Sequence, residues 1–317
     1  MAHQDTVHRP RISHAGFDRI FRWLSFASAA TVLLVLAGIL GSIIYGGWPA
    51  FRQFGFVGFL SGSTWNVGTE TFGAWPAVAG TLISSLIALV IGVPISLGIA
   101  IFLTQLSPKW MKGAIGTSVE LLAAVPSIIY GMWGLFVFAP LLANYLQVPL
   151  NSVVEGVPVV GTIFYSQVPS GTGIFTAGII LALMIIPFIA SITRDMLDQI
   201  PPILRESAYG MGCTTWEVVR HVLLPQTGVA LIGAVMLGLG RALGETMAVT
   251  FVVGNANRLS GSIFDPGSTI ASRIANEFNE AADLQLNALI ALGCILFLVT
   301  FAVLIVARIL VSRVGQR

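Results

Sequence analysis

Apolar residues in this chain gather into six long runs, at 24–46, 75–104, 116–142, 172–193, 228–254 and 287–310, separated by short polar segments. At about 1.5 Å per residue, each run is long enough to cross a hydrocarbon core of roughly 30 Å. A backbone in hydrocarbon has no water to bond, so every N–H and C=O must be satisfied within the protein, which a helix does locally. A barrel would show shorter segments of strict alternation. The pattern predicts an all-α integral membrane protein, a bundle of six helices. Composition agrees: 56% of residues are hydrophobic, 9% are charged and the mean hydropathy is +0.88, values that exclude a soluble domain.

Charge then orients the bundle. With the N-terminus inside, the inner segments carry Arg9, Arg11, Arg19, Arg22, Lys109, Lys112, Arg194, Arg205, Arg220, Arg308, Arg313 and Arg317, and the outer ones only Arg52, Arg258 and Arg273. This bias predicts a multi-pass protein with both termini in the cytoplasm. Those cations serve topology, so the net charge of +2 says nothing about partners, and no nucleic-acid partner is expected. The first run follows a basic tail as a secretory signal does. It is too long for one, and its Ala27–Ser28–Ala29 triplet opens the run instead of closing it, so it is read as a retained helix. Cys213 and Cys294 cannot form a disulfide framework.

Among the connections, 47–74 faces out and is rich in Gly, Phe and Trp, as interface belts are. Segment 105–115 is short and basic, and 143–171 faces out with Pro149, Pro158 and Pro169. In 255–286 the recurrence of Ile270, Ile274 and Phe278 predicts a short amphipathic surface helix, packed on its own bundle or facing a partner. Pro94, Pro126 and Pro187 fall inside runs two, three and four and predict kinks.

The inner segment 194–227 is the informative one. Pro201 and Pro202 pre-set a first helical turn, Leu204, Ala208 and Met211 follow at helical spacing, and Gly210 with Gly212 supplies a stop. Thr214 with Glu217 three residues on fits a capping box for a second helix that ends before Pro225. The expected product is a helix, a glycine elbow and a helix.

Run five holds two charges. Arg241 lies roughly 20 Å along it and Glu245 one turn further out. Each costs about 2.5–3.5 kcal/mol near mid-bilayer, so both should face the bundle interior or a water-filled path. Four residues apart on one helix face they can pair, and Gly240 with Gly244 would admit another helix closely. Two readings stay open: a structural ion pair, or an anion pathway in which the planar guanidinium offers donors and Glu245 exchanges partners with it. Glu120 is placed at the inner interface, by snorkelling or pairing, with a role in the pathway as the alternative. His3, His8, His14 and His221 form no cluster with Cys, Asp or Glu at metal-ligand spacing, so no metal and no cofactor is expected. Neither a nucleophilic constellation nor a Gly-x-x-x-x-Gly-Lys-Ser/Thr loop is present, so the chain is expected to be neither an enzyme nor an ATPase.

Glu206-Ser207-Ala208, three residues, Gly212, nine residues, Val222, one residue and Leu224-Pro225 resembles the EAA signature of ABC importer permeases of the type I kind, with Ser207 for Ala and Val222 for Ile. The resemblance implies that Glu206, Ser207, Ala208, Gly212, Leu224 and Pro225 belong to a coupling loop seated in an ATPase subunit, with Glu206, Ala208 and Gly212 lining the joint. It also implies the divisions 1–22 (cytoplasmic tail), 23–74 (first span and outer loop), 75–311 (type-1 permease domain) and 312–317 (cytoplasmic tail). Arg241 to Asn255, together with Glu120 to Gly131, is similar to phosphate-import permeases, and the Met-Ala-Val continuation is closer to the PstC family than to the PstA family. That implies inorganic phosphate as substrate and, as partners, a PstA-like permease, a PstB-like ATPase dimer and a PstS-like phosphate-binding protein. The rivals are a secondary ion-coupled anion transporter, with Arg241 and Glu245 as a proton relay, and a permease for another oxyanion such as sulfate or molybdate.

Overall fold

The computed structural model describes residues 15–157 and 160–314. Helix α1 (Ala15–Phe54) leads through α2 (Phe56–Ser61) into a hairpin of β1 (Trp65–Asn66) and β2 (Thr71–Phe72), antiparallel with Trp65 opposite Phe72. Next come α3 (Trp75–Ile101), α4 (Lys109–Ala124), α5 (Ser127–Trp133), α6 (Ala139–Leu142), α7 (Val148–Val154) and α8 (Val160–Phe164). The remainder is α9 (Ile174–Asp198), α10 (Pro202–Gly210), α11 (Thr215–Val218), α12 (Leu224–Leu243), α13 (Met247–Val252), α14 (Ile270–Glu277) and α15 (Asp283–Val314). Among the described residues six stretches are long and apolar enough to cross a membrane: Phe17–Phe54, Trp75–Leu106, Ser127–Val154, Ile174–Asp198, Thr215–Leu243 and Asp283–Ile309. The all-α bundle expected from the hydrophobic pattern is therefore present.

Three apolar cores occupy successive levels of the bundle. The central one surrounds α9, the most enclosed span, with Ile180, Ile185 and Ile189 against Ala88 of α3, Ala242 of α12 and Ala248 of α13. Small residues bring α3 and α9 together: a Cβ on Gly92 would lie 3.0 Å from Ile185, and Ser96 Oγ donates to Ile186 O at 3.1 Å. At the hairpin end, Phe59, Trp65, Phe72, Ile270 and Leu289 form a second core. At the opposite, elbow end, Ala100, Leu197, Ala208, Val218 and Leu223 form the third. Helix α1 leans on α15, where a Cβ on Gly47 would meet Ala291 Cα at 2.9 Å; the rest of its apolar surface, including Val32, Leu33 and Leu34, is exposed, as befits a lipid-facing helix.

Several boundaries differ from the sequence expectation, and proline explains most of them. Run three was placed at 116–142, but the chain is extended at Val125 and Pro126, so α4 is a separate helix and the span begins at Ser127. It then continues to Val154, through residues expected to be an outer loop. It does so by π-helical turns at Gly134–Phe138 and Ala143–Gln147, each followed two residues later by a proline, Pro140 and Pro149. A third such turn, Val219–Leu223, precedes Pro225 in the same way. Proline lacks a donor and its ring clashes with the carbonyl four residues back; a widened turn moves that carbonyl aside and lets the helix continue. The second elbow helix therefore runs on into α12 instead of ending before Pro225 as expected. Helices α3 and α9 are unbroken across Pro94 and Pro187, and α1 passes through Pro49 to Phe54, so the first outer loop is shorter than expected.

The amphipathic helix read from Ile270, Ile274 and Phe278 is α14, and it packs on its own bundle with Ile270 fully buried. It carries a network that the sequence did not announce. Arg273, only 3% exposed, donates to Asn257 Oδ1, Ala256 O, Ser268 Oγ and Glu277 Oε1 at 2.8–3.1 Å, and its guanidinium lies 4.9 Å from the Trp65 ring centroid. Trp65 Nε1 donates to Glu277 Oε2 at 2.8 Å, closing the loop onto the hairpin. Burial pulls the Arg273 guanidinium below its ordinary range, opposed by Glu277. Because removing one partner strands the other, Arg273→Met is expected to cost about 3 kcal/mol. A lowered thermal midpoint in detergent and faster proteolysis at 62–73 would show it; an unchanged midpoint would contradict it.

Candidate functional site

Two groups of the expected site residues lie on successive parts of the chain, joined by α12. The first is the elbow. Helix α10 closes with Gly212 at φ +88°, Cys213 N donating to Ala208 O at 3.2 Å and Gly212 N to Tyr209 O at 2.9 Å. That pair of bonds is a Schellman stop, which needs a residue tolerant of the left-handed region. Thr214 then caps α11: Glu217 N donates to Thr214 Oγ1 at 3.4 Å while Thr214 N donates to Glu217 Oε2 at 2.7 Å, the capping box read from the sequence.

The elbow is seated on its own chain by two contacts. Ala208 is 2% exposed and belongs to the third core, so its side chain faces inward on this chain. Arg205 Nη2 donates to Leu197 O, tying α10 to the last turn of α9. Glu206, Ser207, Gly212 and Pro225 are exposed, and Leu224 is half-buried. Leu204 and Met211, expected to share an apolar face with Ala208, turn outward instead, with Met211 79% exposed. Around Glu206 the elbow also presents Ile203, Tyr209 and Trp216 to the surroundings. Large apolar side chains exposed together on a polar segment are the kind of patch that a partner can cover. Their signal in the sequence was the bare presence of Met and Trp in a polar segment.

Neighbouring ion pairs brace this end. Glu120 accepts from Arg194 Nη2 at 2.8 Å, the interfacial pairing among its expected roles, and Lys112 reaches Asp198 at 3.1 Å, so α4 is joined to α9 at two points.

The second group is Arg241 and Glu245, and here the structure corrects the expectation. They do not sit on one continuous helix. Helix α12 ends at Leu243, residues 244–246 are non-helical, and α13 starts at Met247. Glu245 turns back onto α13, its Oε1 accepting from Ala248 N at 3.3 Å. Among the described residues Arg241 and Glu245 make no ion pair with each other or with any other group. Arg241 is exposed, on a stripe with Leu237 and Gly244, opposite the Gly238, Leu239 and Ala242 face that packs into the central core. Gly240 and Gly244 likewise admit no helix of this chain, since a Cβ there would meet nothing beyond their own helix. The close approach is at Gly238, where a Cβ would lie 2.7 Å from Ile189.

A helix broken within the bilayer exposes backbone groups that only protein, water or a solute can satisfy. A guanidinium on the open face of such a break cannot face lipid cheaply. The arrangement is suited to holding an anion on a surface that this chain completes only in part. Among the described residues no cluster of His, Cys, Asp or Glu is placed to hold a metal ion. His3, His8 and His14 lie outside the described residues, and His221 is exposed in the turn after α11.

Comparison with known proteins gives these features a context. Residues 92–316 match the family described as binding-protein-dependent transport system inner membrane component. The phosphate transport system permease protein PstC of Pasteurella multocida is 52% identical over 307 residues, covering 97% of this chain and 95% of that protein. Its counterpart in Haemophilus influenzae is 50% identical over 311 residues, covering 98% of each, and PstC 1 of Mycobacterium tuberculosis is 34% identical with 93% of each covered. In fold the chain resembles a crystallised bacterial alginate ABC transporter, in complex with its alginate pentasaccharide-bound periplasmic protein, at a TM-score of 0.62 and 18% identity, covering 95% of this chain and 98% of that one.

The elbow's local stability is open to direct test. Thr214→Ala should cost about 1 kcal/mol by loss of the cap, and Gly212→Ala a similar amount through strain at positive φ. Both should speed proteolysis within 203–220, and cleavage as slow as in the unsubstituted chain would contradict this account of the elbow.

Proposed function

The chain belongs to the family of binding-protein-dependent transport inner membrane components and, within it, to the PstC phosphate permeases, and from that premise we propose that Arg241 lines its anion path and the elbow receives the work of ATP hydrolysis. The protein is a multi-pass inner-membrane permease subunit of a phosphate ABC transport system and is not itself catalytic. It functions in a complex with an ATPase and a binding protein. The finer assembly we propose is a PstA-like second permease completing the pore, a PstB-like ATPase dimer at the elbow end and a PstS-like phosphate-binding protein at the hairpin end. The bias of Lys and Arg supports a cytoplasmic elbow and cytoplasmic termini.

The observation that carries the anion path is the break at 244–246 with Arg241 unpaired beside it. With Glu245 held on Ala248 N, the guanidinium's planar fork of donors is free for an incoming tetrahedral oxyanion. A permanently free Arg241 would retain the anion, and a carboxylate one short segment away offers the competing charge that favours release. Motion applied at α10 reaches this region through α9, whose end Arg205 holds and whose middle packs on α12 and α13. The ion-coupled alternative needs a proton relay between Arg241 and Glu245, and the helix break between them, with no hydrogen bond joining them among the described residues, speaks against it.

Arg241→Gln in the complete complex, reconstituted in vesicles, should lower ATP-driven phosphate uptake more than about tenfold, the scale of a lost charge-assisted bond, without loss of assembly. Glu245→Gln should also alter uptake in an assembled complex. Loss of assembly in both variants would mark the two residues as structural and overturn the pathway assignment.

A further inference from the structure

The segment 120–131 contains a feature that the anion path and the elbow do not account for. Pro126 has no N–H, so the carbonyl of Leu122, four residues back, has lost its α-helical donor. The chain does not widen into a π turn here as it does before Pro140, Pro149 and Pro225; it breaks, with Val125 at ψ 128° and Pro126 at ψ 137°. The stranded carbonyl is met from the far side of the break. Tyr130 Oη donates to Leu122 O at 2.8 Å, beside a longer bond of 3.3 Å from Val125 N. Residues eight apart on a continuous helix are separated by about 12 Å along its axis, out of reach of a tyrosine side chain. The bond therefore exists only while α4 and α5 are bent as seen, and swinging one helix against the other must break it.

The two helices joined by this bond lead to the two ends of the coupling route. Helix α4 is pinned to α9 by Glu120–Arg194 and Lys112–Asp198, immediately before the chain enters the elbow. Helix α5 crosses α13 so closely that a Cβ on Gly131 would lie 2.9 Å from Ala248 Cα, and Ala248 N is the group that holds Glu245. The Tyr130 ring packs on the central core. We propose that Tyr130 is a positioning residue for transport: its hydroxyl on Leu122 O latches the Pro126 hinge, so that displacement of the elbow moves α13 and the 244–246 break only when the latch opens.

This inference rests on the permease reading, and the test separates the two. The complete importer, with its second permease, ATPases and binding protein, is reconstituted in vesicles; absence of phosphate import by the unsubstituted complex would count against the permease reading itself. In Tyr130→Phe the complex should assemble normally, while ATP hydrolysis without the binding protein rises about fivefold, the equilibrium shift of one lost hydrogen bond of ordinary strength, and phosphate imported per ATP falls to a similar degree. Pro126→Ala supplies a new backbone N–H to Leu122 O, so in that background Tyr130→Phe should change hydrolysis less than about twofold. A merely structural tyrosine would not show this dependence on residue 126. Hydrolysis unchanged in Tyr130→Phe, an equal rise in both backgrounds, or failure of Tyr130→Phe to assemble would each overturn the proposal.

Discussion

In a bilayer no backbone carbonyl or amide can be left to water, and that requirement shapes this chain more than any pairwise contact does. Helices answer it locally, but the sequence places prolines and glycines where the local answer fails. Before Pro140, Pro149 and Pro225 the helix widens by a π turn and carries on. At Pro126 it breaks, and a tyrosine hydroxyl meets the freed carbonyl. At 244–246 it breaks again, and Glu245 caps the next helix while Arg241 has no ion-pair partner among the described residues. The two breaks are where one helix stops and the next sets off in a new direction, and α5 and α13, which follow them, cross at Gly131 and Ala248.

The structure thereby divides its labour by level. The elbow end is rigid and self-seated: Ala208 is sunk in an apolar core, Arg205 grips the last turn of α9, and a glycine stop meets a capping box. The hairpin end is fixed by the buried Arg273–Glu277–Trp65 network. Between them lies a core of small and branched side chains around α9, and on its open side the unpaired arginine. Under the proposed function, a subunit so built would transmit displacement from its ends to its middle, as a gate driven from outside must.

Much of this was legible in the sequence because the relevant signals are local. Six runs of apolar residues gave six spans, Ile270 and Ile274 gave α14, and Thr214 with Glu217 gave the capping box. The spacing from Glu206 to Pro225 gave the family resemblance. What was not legible depended on how proline and glycine are accommodated in three dimensions. Pro225 reads as a stop but lies within a continuous helix, and Pro126 reads as a kink but is a break. Arg241 and Glu245, four apart, read as a pair, yet the chain between them leaves the helix, so their charges part. The Arg273 network joins residues 65, 257, 268 and 277, and no periodicity in a single sequence connects them.

The central claim is that this chain is a passive gate, driven through its elbow by an ATPase that it does not contain. It is tested most directly by accumulation of phosphate against its gradient in vesicles holding either this chain alone or the complete complex supplied with ATP and binding protein. The account predicts accumulation in the complete complex and none with the lone chain. Accumulation by the lone chain, driven by an ion gradient or by nothing added, would contradict it.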